Sequence, residues 1–329
     1  MEGKILFLSK GANASSTRYR AYDFFPLFKE AGWQPTHLKI QNSLSGRIQL
    51  LQAAQKVDTV VIVRSTFSFL FARLLRYFSR QLVFTFDDAI FTKSSGERSK
   101  GRERRFAATL PFCDQIWAGN NYLADQACQF NPHVTIIPTA LDMERYSIQA
   151  NKSNTHLDLV WIGSQSTKKH LVTVIPALEA ATALIPTLRL KIIADFTLES
   201  NQLEIIPIQW SPESEVQELA SAHIGIAPLP DNTFTRGKCG LKILQYMAAG
   251  LPVISSPTGV NKDIVANGSS GLLAANKQEW VESIQRLAQD INLRSSMGAA
   301  GQKRCREHFT LTATFKKMLS TLGAQSCNT

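Results

Sequence analysis

The feature with the most evident chemistry is a group of three cations near the start of a helix. Arg236, Lys238 and Lys242 flank the point where apolar residues at helical spacing predict that a helix begins. Each such cation is unfavourable by roughly 0.3–1 kcal/mol, because that end of the helix dipole is positive. A bound anion would offset this, and Gly237 and Gly240 would let the backbone approach it. The alternative from these residues alone is a solvated basic loop before an ordinary helix.

A second candidate is the carboxylate pair Asp87 and Asp88, which follows the apolar run 81–86. That run predicts a buried strand, and ligands of doubly wound sheets bind beyond the carboxyl ends of the strands. Asp88 is therefore a candidate for the base that accepts the proton of a hydroxyl acceptor. The alternative is a helix N-cap or a salt bridge within a loop.

A third group lies near the N-terminus. Residues 4–8 predict a buried strand, and a polar loop then leads into a helix, although the glycines of the dinucleotide fingerprint are missing. This order predicts that Ser15, Ser16, Arg18 and Arg20 face the crevice, where a ligand would bind. The two arginines could pair with the phosphate groups of such a ligand. The alternative is a pair of surface arginines in a first helical turn.

Strands and helices alternate along the chain, which predicts an α/β fold of two Rossmann-like doubly wound domains that face a cleft. The strand–loop–helix order recurs at residues 157–169, so we place a domain boundary before it. We predict one domain over 1–150 and a second over 151–309. A C-terminal helix within 310–329 is expected to pack back towards the first domain.

Composition and charge narrow the partners and the location. The 329 residues carry a net charge of +10, with 19 Lys and Arg against 12 Asp and Glu in residues 1–150, and 17 against 14 in the rest. A basic N-terminal half suits anionic lipid, a phosphorylated acceptor or nucleic acid, but no nucleic-acid-binding signature is present. The five cysteines are scattered without a CxxC pair, so we expect neither a disulfide framework nor a metal site.

Hydropathy suggests a cytoplasmic protein, since no apolar run approaches a membrane span and no long signal-peptide core is present. The apolar helix predicted over 67–78 carries Arg73, Arg76 and, just beyond it, Arg80 on one side. That face could touch the inner surface of an anionic membrane. The favoured alternative is that the stripe packs on the sheet.

The stretch 228–256 resembles the donor motif of glycosyltransferase family 4, which has the GT-B fold. The residues that carry the resemblance are Pro228-Leu229, Gly240-Leu241, Leu244 to Pro252, Val253-Ile254, Gly259, Asp263-Ile264-Val265, Gly268, Gly271-Leu272-Leu273, Met297-Gly298 and Phe309. The exit Pro138-Thr139-x-x-Asp142 also resembles that of the family's N-terminal domain. The resemblance implies a nucleotide diphosphate-sugar donor, bound by the domain 151–309, and a hydroxyl acceptor, bound by the domain 1–150.

The resemblance also implies roles for individual residues. Donor-binding residues would be Ser164, Thr167, Lys168, Trp210, Arg236, Gly237, Gly240, Leu241 and Gln245, with Trp210 near the base. Asp88, Lys238 and Lys242 would be catalytic, and Asp87 would contact the acceptor together with Ser16, Arg18 and Arg20. The match around Ser164 and Lys168 is partial.

The sequence departs from the family at two positions. The family carries two glutamates eight residues apart around this helix, and here those positions hold Gly237 and Gln245. Gln245 can hydrogen-bond a ribose hydroxyl, but Gly237 cannot replace a carboxylate. A mechanism that needs the first carboxylate is therefore in question.

The resulting expectation is a retaining, metal-independent glycosyltransferase without cofactor, in cell-surface polysaccharide or glycolipid synthesis. Its acceptor would be a hydroxyl, lipid-linked or phosphorylated, and nucleic acid is not expected as a partner. Two alternatives share the fold: a nucleotide-sugar epimerase or hydrolase, and a non-catalytic module that binds a nucleotide sugar.

Overall fold

The computed structural model of the chain describes residues 3–322. By their internal contacts these residues form two compact units. Unit 1 contains residues 3–140, 232–239 and 311–322, and unit 2 contains residues 141–231 and 240–310. The first division falls at Ala140, whereas we placed the boundary at 150, and the short segment 232–239 belongs to unit 1. Residues 323–329 of the predicted C-terminal segment lie outside the described residues.

Unit 1 is built on a parallel sheet with the strand order β2-β1-β3-β4-β5-β6. Its middle strands form because their apolar runs are buried on both faces, as parallel sheets require. The elements in chain order are β1 (Gly3–Ser9), α1 (Ser15–Arg20), α2 (Phe25–Glu30), β2 (Trp33–Lys39), α3 (Leu44–Ala54), β3 (Thr59–Val63), α4 (Phe69–Phe78), β4 (Gln81–Phe86), α5 (Lys100–Thr109), β5 (Gln115–Ala118), α6 (Asn121–Cys128) and β6 (Val134–Ile136).

Unit 2 is built on a second parallel sheet with the order β12-β11-β10-β7-β8-β9. Its elements are β7 (Leu157–Ile162), α7 (Lys168–Val172), α8 (Ile175–Thr182), β8 (Leu188–Ala194), β9 (Glu204–Gln209), α9 (Pro212–Ala220), β10 (Ile224–Ala227), α10 (Leu241–Ala248), β11 (Val253–Ser255), α11 (Asn261–Val265), β12 (Gly271–Leu273), α12 (Lys277–Gln289) and α13 (Ile291–His308). Two doubly wound parallel sheets confirm the predicted fold class.

The last helix, α14 (Leu311–Leu322), belongs to unit 1. Phe315 meets Phe28 edge to face, with the ring centroids 4.8 Å apart, and Met318 is fully buried in the same cluster. Trp117 of β5 donates a hydrogen bond from Nε1 to Thr321 Oγ1 at 2.9 Å. These contacts cover one face of the first sheet.

Local ion pairs link charged residues of the polar stretch 93–105. Lys93 pairs with Glu97, and Arg98 pairs with Glu103, at 2.8 and 2.9 Å. From Lys100 onward the stretch is helical, because this helix buries Phe106 in the core while its charged residues remain outside. Within residues 3–322, no helix combines the length and the apolarity needed to cross a membrane.

Candidate functional site

In unit 2 the strand order reverses between β7 and β10, and the loops after these two strands are the expected place for a ligand. The chain after β10 leads to α10. Gly240 stands at the N-cap of α10 in the left-handed region, with φ +70°, so the N-cap residue has no side chain of its own to cap the helix. A Cβ on Gly240 would lie 2.3 Å from Ile264 Cδ1, so glycine is required here. Leu241 is the first helical residue, and the first N–H groups of a helix are the ones that favour an anion.

Lys242 lies in the first turn of α10, and its ammonium group lies beside Trp161, Thr167 and Gly163 of unit 2. Nζ is 3.7 Å from the centre of the Trp161 ring and 3.5 Å from Thr167 Oγ1. A Cβ on Gly163 would come within 2.6 Å of Nζ, so the absence of a side chain there makes room for the lysine. We define Gly163, Gly240, Leu241 and Lys242 as the helix-start site. It places a cation and a helix N-terminus together, which suits a diphosphate.

Ser164 and Thr167 shape the loop after β7. Their side chains cap the turn reciprocally, and the Ser164 N–H donates to Thr167 Oγ1 at 3.1 Å. Lys168 points its Nζ at Thr197 O, 3.2 Å away, and lies over the Phe196 ring at 5.0 Å. Among these three predicted donor residues, the structure links Thr167 directly to Lys242.

Gln245 belongs to a buried hydrogen-bond network that the sequence did not reveal. Its Nε2 donates to Glu215 Oε1 at 3.0 Å and to Tyr146 Oη at 3.2 Å. Tyr146 Oη donates to Glu215 Oε1 at 2.7 Å, and Trp210 Nε1 donates to Glu215 Oε2 at 2.9 Å. Arg145 is 3.3 Å from Glu215 Oε1 and balances its charge. We call these five residues the buried network. It includes two predicted donor residues, Gln245 and Trp210.

In unit 1 a cluster of four charged residues lies at the carboxyl ends of β3 and β4. Arg64 Nε is 3.3 Å from Asp87 Oδ1, and its other end pairs closely with Asp88. Lys238 Nζ is 2.8 Å from Asp88 Oδ1. We call Arg64, Asp87, Asp88 and Lys238 the strand-end cluster. Asp88 is thus held in a fixed position by two cations.

Arg64 is the member of this cluster that we did not assign to the site. It has a backbone φ of +52°, unusual for a residue with a side chain, and such strain is concentrated at functional positions. Burial alone would lower the pKa of Arg64, but Asp87 and Asp88 outweigh it and raise the pKa. A sequence signal existed, because Arg64 ends the strand next to the one that Asp87 follows.

The segment 232–239 is fastened within unit 1 by backbone contacts. Asn120 Nδ2 donates to the carbonyl oxygens of Arg236 and Lys238, at 3.3 and 2.9 Å. A Cβ on Gly237 would lie 2.6 Å from the Ala89 nitrogen, so the backbone is too close for a side chain. Cys239 Sγ lies 3.3 Å from the Asp87 carbonyl oxygen, and burial raises the pKa of its thiol strongly.

Two further predicted site residues of this region belong to unit 1, whereas we placed them in the second domain. Lys238 pairs with Asp88 of unit 1. Arg236 is exposed and also belongs to unit 1. The charge conflict read from the sequence is thus relieved for Lys238 by a carboxylate of the protein rather than by a bound anion.

We predicted that Arg20 faces the crevice, and this prediction is wrong. Its side chain is buried, with 1% exposure. Its guanidinium donates to the carbonyl oxygens of Ile137 and Phe86, at 2.6 and 3.0 Å. Burial lowers the pKa of Arg20, and the nearby Asp87 carboxylate opposes that effect. Ser16 and Arg18 remain partly exposed, and Arg18 lies 3.6 Å from Asp23.

Comparisons with known proteins bear on both units. The family model of the group 1 glycosyl transferases matches residues 156–290. Residues 156–290 are a group 1 glycosyltransferase domain. This domain contains the whole helix-start site, and it confirms the resemblance at the level of group 1 glycosyltransferases. Trehalose synthase from Pyrococcus horikoshii is 29% identical over 85 residues, which cover 26% of this chain and 20% of that protein.

Solved structures share the fold over nearly the whole chain. HepE from Anabaena, in complex with UDP and glucose, has a TM-score of 0.75 at 14% identity, covering 98% of this chain and 100% of that one. Sucrose-phosphate synthase from Thermosynechococcus elongatus has a TM-score of 0.72 at 15% identity, covering 97% and 98%. The group 1 domain is thus part of a chain with the GT-B fold, as predicted.

Proposed function

We propose that this protein transfers a glycosyl group from a nucleoside diphosphate sugar to a hydroxyl acceptor. The observation that carries the proposal is the helix-start site, where Lys242 lies in the first turn of a helix that begins after a glycine N-cap. The same segment lies in the group 1 domain. HepE, which shares the fold, was solved with UDP and glucose, and this supports a nucleoside diphosphate donor.

The donor half of the reaction is assigned to unit 2. As the glycosidic bond to the diphosphate breaks, negative charge grows on the leaving diphosphate. The α10 N–H groups and Lys242 would stabilise that charge in the transition state. The proposal therefore includes no metal ion, and turnover should persist in EDTA. Retention of configuration is proposed from the resemblance to family 4.

The acceptor half is assigned to unit 1. Asp88 would take the proton from the acceptor hydroxyl, and Arg64 and Lys238 hold its carboxylate in place. Gly237, at the position of the family's first glutamate, packs against Ala89 and offers no carboxylate. The mechanism proposed here consequently makes no use of a group at that position.

The proposed acceptor is a lipid-linked hydroxyl, and the outer face of α4 supports contact with a membrane surface. Phe71, Ala72 and Leu75 of this helix are buried in the core. Part of its apolar face therefore packs inside unit 1, which is the alternative that we favoured from the sequence. Four other apolar residues are 46–80% exposed, namely Phe69, Leu70, Leu74 and Tyr77. Arg76 and Arg80 pair with Asp114 and Asp58, which reduces the net positive charge of this face. A peripheral, cytoplasmic enzyme of cell-surface polysaccharide or glycolipid synthesis would use such a face.

The direct test begins with UDP, GDP, CDP and ADP and the matching nucleotide sugars in thermal unfolding. A diphosphate at about 100 times its dissociation constant should add roughly 2.7 kcal/mol of stability. The sugar donor that binds is then incubated with hydroxyl acceptors, and release of the diphosphate is measured with and without acceptor. We expect acceptor-dependent release that is insensitive to EDTA.

Other outcomes would favour the alternatives. Release of sugar to water without any gain from an acceptor would support a hydrolase of the same fold, and isomerised donor would support an epimerase. Nucleotide-sugar binding without turnover would support a non-catalytic binding module. No shift with any diphosphate would contradict the helix-start site as a donor site.

A further inference from the structure

A cavity at the amino ends of the strands of unit 2 has no part in the proposed reaction. Its volume is about 540 Å³, a size that suits a small ligand. The residues that line it precede or begin β7, β8, β10 and β11, or lie where α12 meets α13. We call it the amino-end cavity. The helix-start site lies beyond the carboxyl ends of the same sheet, about 20 Å away along the six residues of β7.

Two cationic side chains, Lys152 and Arg294, line the amino-end cavity. The Lys152 residue is exposed as a whole, yet burial of its ammonium group and then the charge of Arg294 lower its pKa. The two cations are therefore close enough to repel each other. Of the carboxylates in residues 3–322, none raises the pKa of Lys152, and Asp290 is the one that raises the pKa of Arg294 against the effect of burial. A bound anion would relieve the repulsion that remains.

The Arg294 guanidinium is already anchored at one end. Its Nη1 donates to the carbonyl oxygens of Leu287 and Ala288 at the end of α12, at 2.5 and 2.9 Å. These two bonds use both hydrogens of Nη1, which leaves the edge formed by Nε and Nη2 for a ligand. That edge matches two oxygens of a phosphate or carboxylate, and a side chain that is held beforehand loses little freedom when the anion binds.

The segment 152–156, which precedes β7, is fixed to the sheet at the same place. Ser153 Oγ accepts a hydrogen bond from the His156 N–H at 3.1 Å. His223, just before β10, accepts from the Asp158 N–H at Nδ1, 3.0 Å away, and is hydrogen-bonded to the backbone of Ser153. His223 is thus a structural residue, and the segment holds its lysine beside the cavity.

Another part of the cavity wall is apolar. It is formed by Leu157, Ile185, Pro252, Ala288 and Ile291. Ile291, the first residue of α13, is 66% exposed, so contact with an apolar group of a ligand would remove its side chain from water. Cations beside an exposed isoleucine suit an organic anion better than a bare inorganic ion.

We propose that the amino-end cavity binds a small organic phosphate, with the phosphate between Lys152 and Arg294 and the apolar part against Ile291. A phosphate monoester fits better than a carboxylate because it carries about −1.5 to −2 charges and has three oxygens, enough to meet a guanidinium edge and an ammonium group together. Since the helix-start site lies at the other edge of the sheet, this ligand would bind together with a nucleoside diphosphate, as an effector rather than a substrate.

The test measures by calorimetry how the full chain binds inorganic phosphate and phenyl phosphate. Wild type should bind phenyl phosphate about 3–10-fold more tightly, because its ring can contact Ile291. Lys152→Ala should weaken the binding of both probes by about tenfold. Ile291→Ser should remove the advantage of phenyl phosphate and leave the affinity for inorganic phosphate unchanged. Both residues are exposed, so the variants should fold.

The matched control is Lys303→Ala, at an exposed lysine of α13, which should bind both probes as wild type does. Lys242→Ala should also bind phenyl phosphate fully, and a nucleoside diphosphate should not displace this probe. Loss of phenyl phosphate binding in Lys242→Ala, with full binding in Lys152→Ala, would place the anion at the helix-start site and overturn the inference. Equal affinities of wild type for the two probes, or no binding of either, would overturn it as well.

Discussion

The strand-end cluster of unit 1 and the helix-start site of unit 2 hold their lysines in different ways. Lys238 lies 2.8 Å from a carboxylate oxygen of Asp88, and Arg64 pairs with the same aspartate. Lys242 instead lies 3.7 Å from the centre of the Trp161 ring, in a space that Gly163 leaves open. A carboxylate of unit 1 thus holds Lys238, whereas Lys242 lies against an aromatic ring at the start of a helix in unit 2. We assign the proton transfer to the first group and the diphosphate to the second.

Replacing Asp88 by Asn should have the largest effect on turnover. If Asp88 is the base, turnover should fall by about 10²–10⁴-fold, because an amide cannot accept the proton. Affinity for the nucleoside diphosphate should be unchanged, since the donor site is assigned to unit 2. Steady-state rates and diphosphate binding would be measured on the same preparation. The matched control is Asp87→Asn, for which we expect a much smaller loss, and equal losses in both variants would contradict the assignment.

Arg20→Met should lower stability rather than alter substrate binding. Its removal takes away the donor to the buried carbonyl oxygen of Ile137, whereas the carbonyl oxygen of Phe86 keeps the N–H of Gly119. Urea unfolding should therefore show a loss of about 1–3 kcal/mol, the cost of one buried group without a partner. Arg18→Met, at a partly exposed ion pair, should change stability by less than about 1 kcal/mol. Wild-type stability with a raised KM for the acceptor in Arg20→Met would restore the binding role that the sequence predicted.

Lys242→Ala should weaken nucleoside diphosphate binding by about 10–100-fold, since a charge-assisted hydrogen bond is worth about 1.5–3 kcal/mol. Lys168 provides a matched control, because it also lies over a ring, 5.0 Å from Phe196, but is fastened to Thr197 O. Lys168→Ala should change binding by less than about threefold. Calorimetry with the four diphosphates measures both. Equal affinities of the Lys242 variant and wild type would remove the proposed contrast between the two units.

Gly237→Ala should have the smallest of these effects, a loss of about 1–3 kcal/mol in stability. The added Cβ would lie 2.6 Å from the Ala89 nitrogen, so the backbone of unit 1 must shift. Gly101→Ala on α5, where nothing lies within 4 Å, should instead be neutral or gain up to about 1 kcal/mol. A Gly237→Ala protein as stable as wild type would show that this position could have held the family's glutamate.

Sequence patterns were sufficient to predict that strands and helices alternate and to find candidate site residues at the ends of strands. Asp87 and Asp88 were found because they directly follow a buried apolar run, and the neighbouring strand end at Arg64 could have been added by the same rule. The helix α3 was missed because its apolar residues do not lie on one clear face.

The partners of these residues could not be predicted, since they come from distant parts of the chain. Glu215 meets Tyr146 from 69 residues away and Gln245 from 30 residues away, and its burial depends on the packing of α9. Likewise, the positions of Lys238 and Lys242 in the sequence do not reveal that Lys238 pairs with Asp88 and that Lys242 lies over the Trp161 ring. Only the three-dimensional contacts separate these two lysines.

The central claim, that the start of α10 binds the diphosphate of the donor, is tested most directly by hydrogen exchange with and without nucleoside diphosphate. Peptides that cover residues 240–245 and 163–167 should exchange more slowly in the presence of the diphosphate that binds. Peptides that cover 64 and 87–88 in unit 1 should change less. Slower exchange elsewhere, with no change at 240–245 despite saturating diphosphate, would contradict the account.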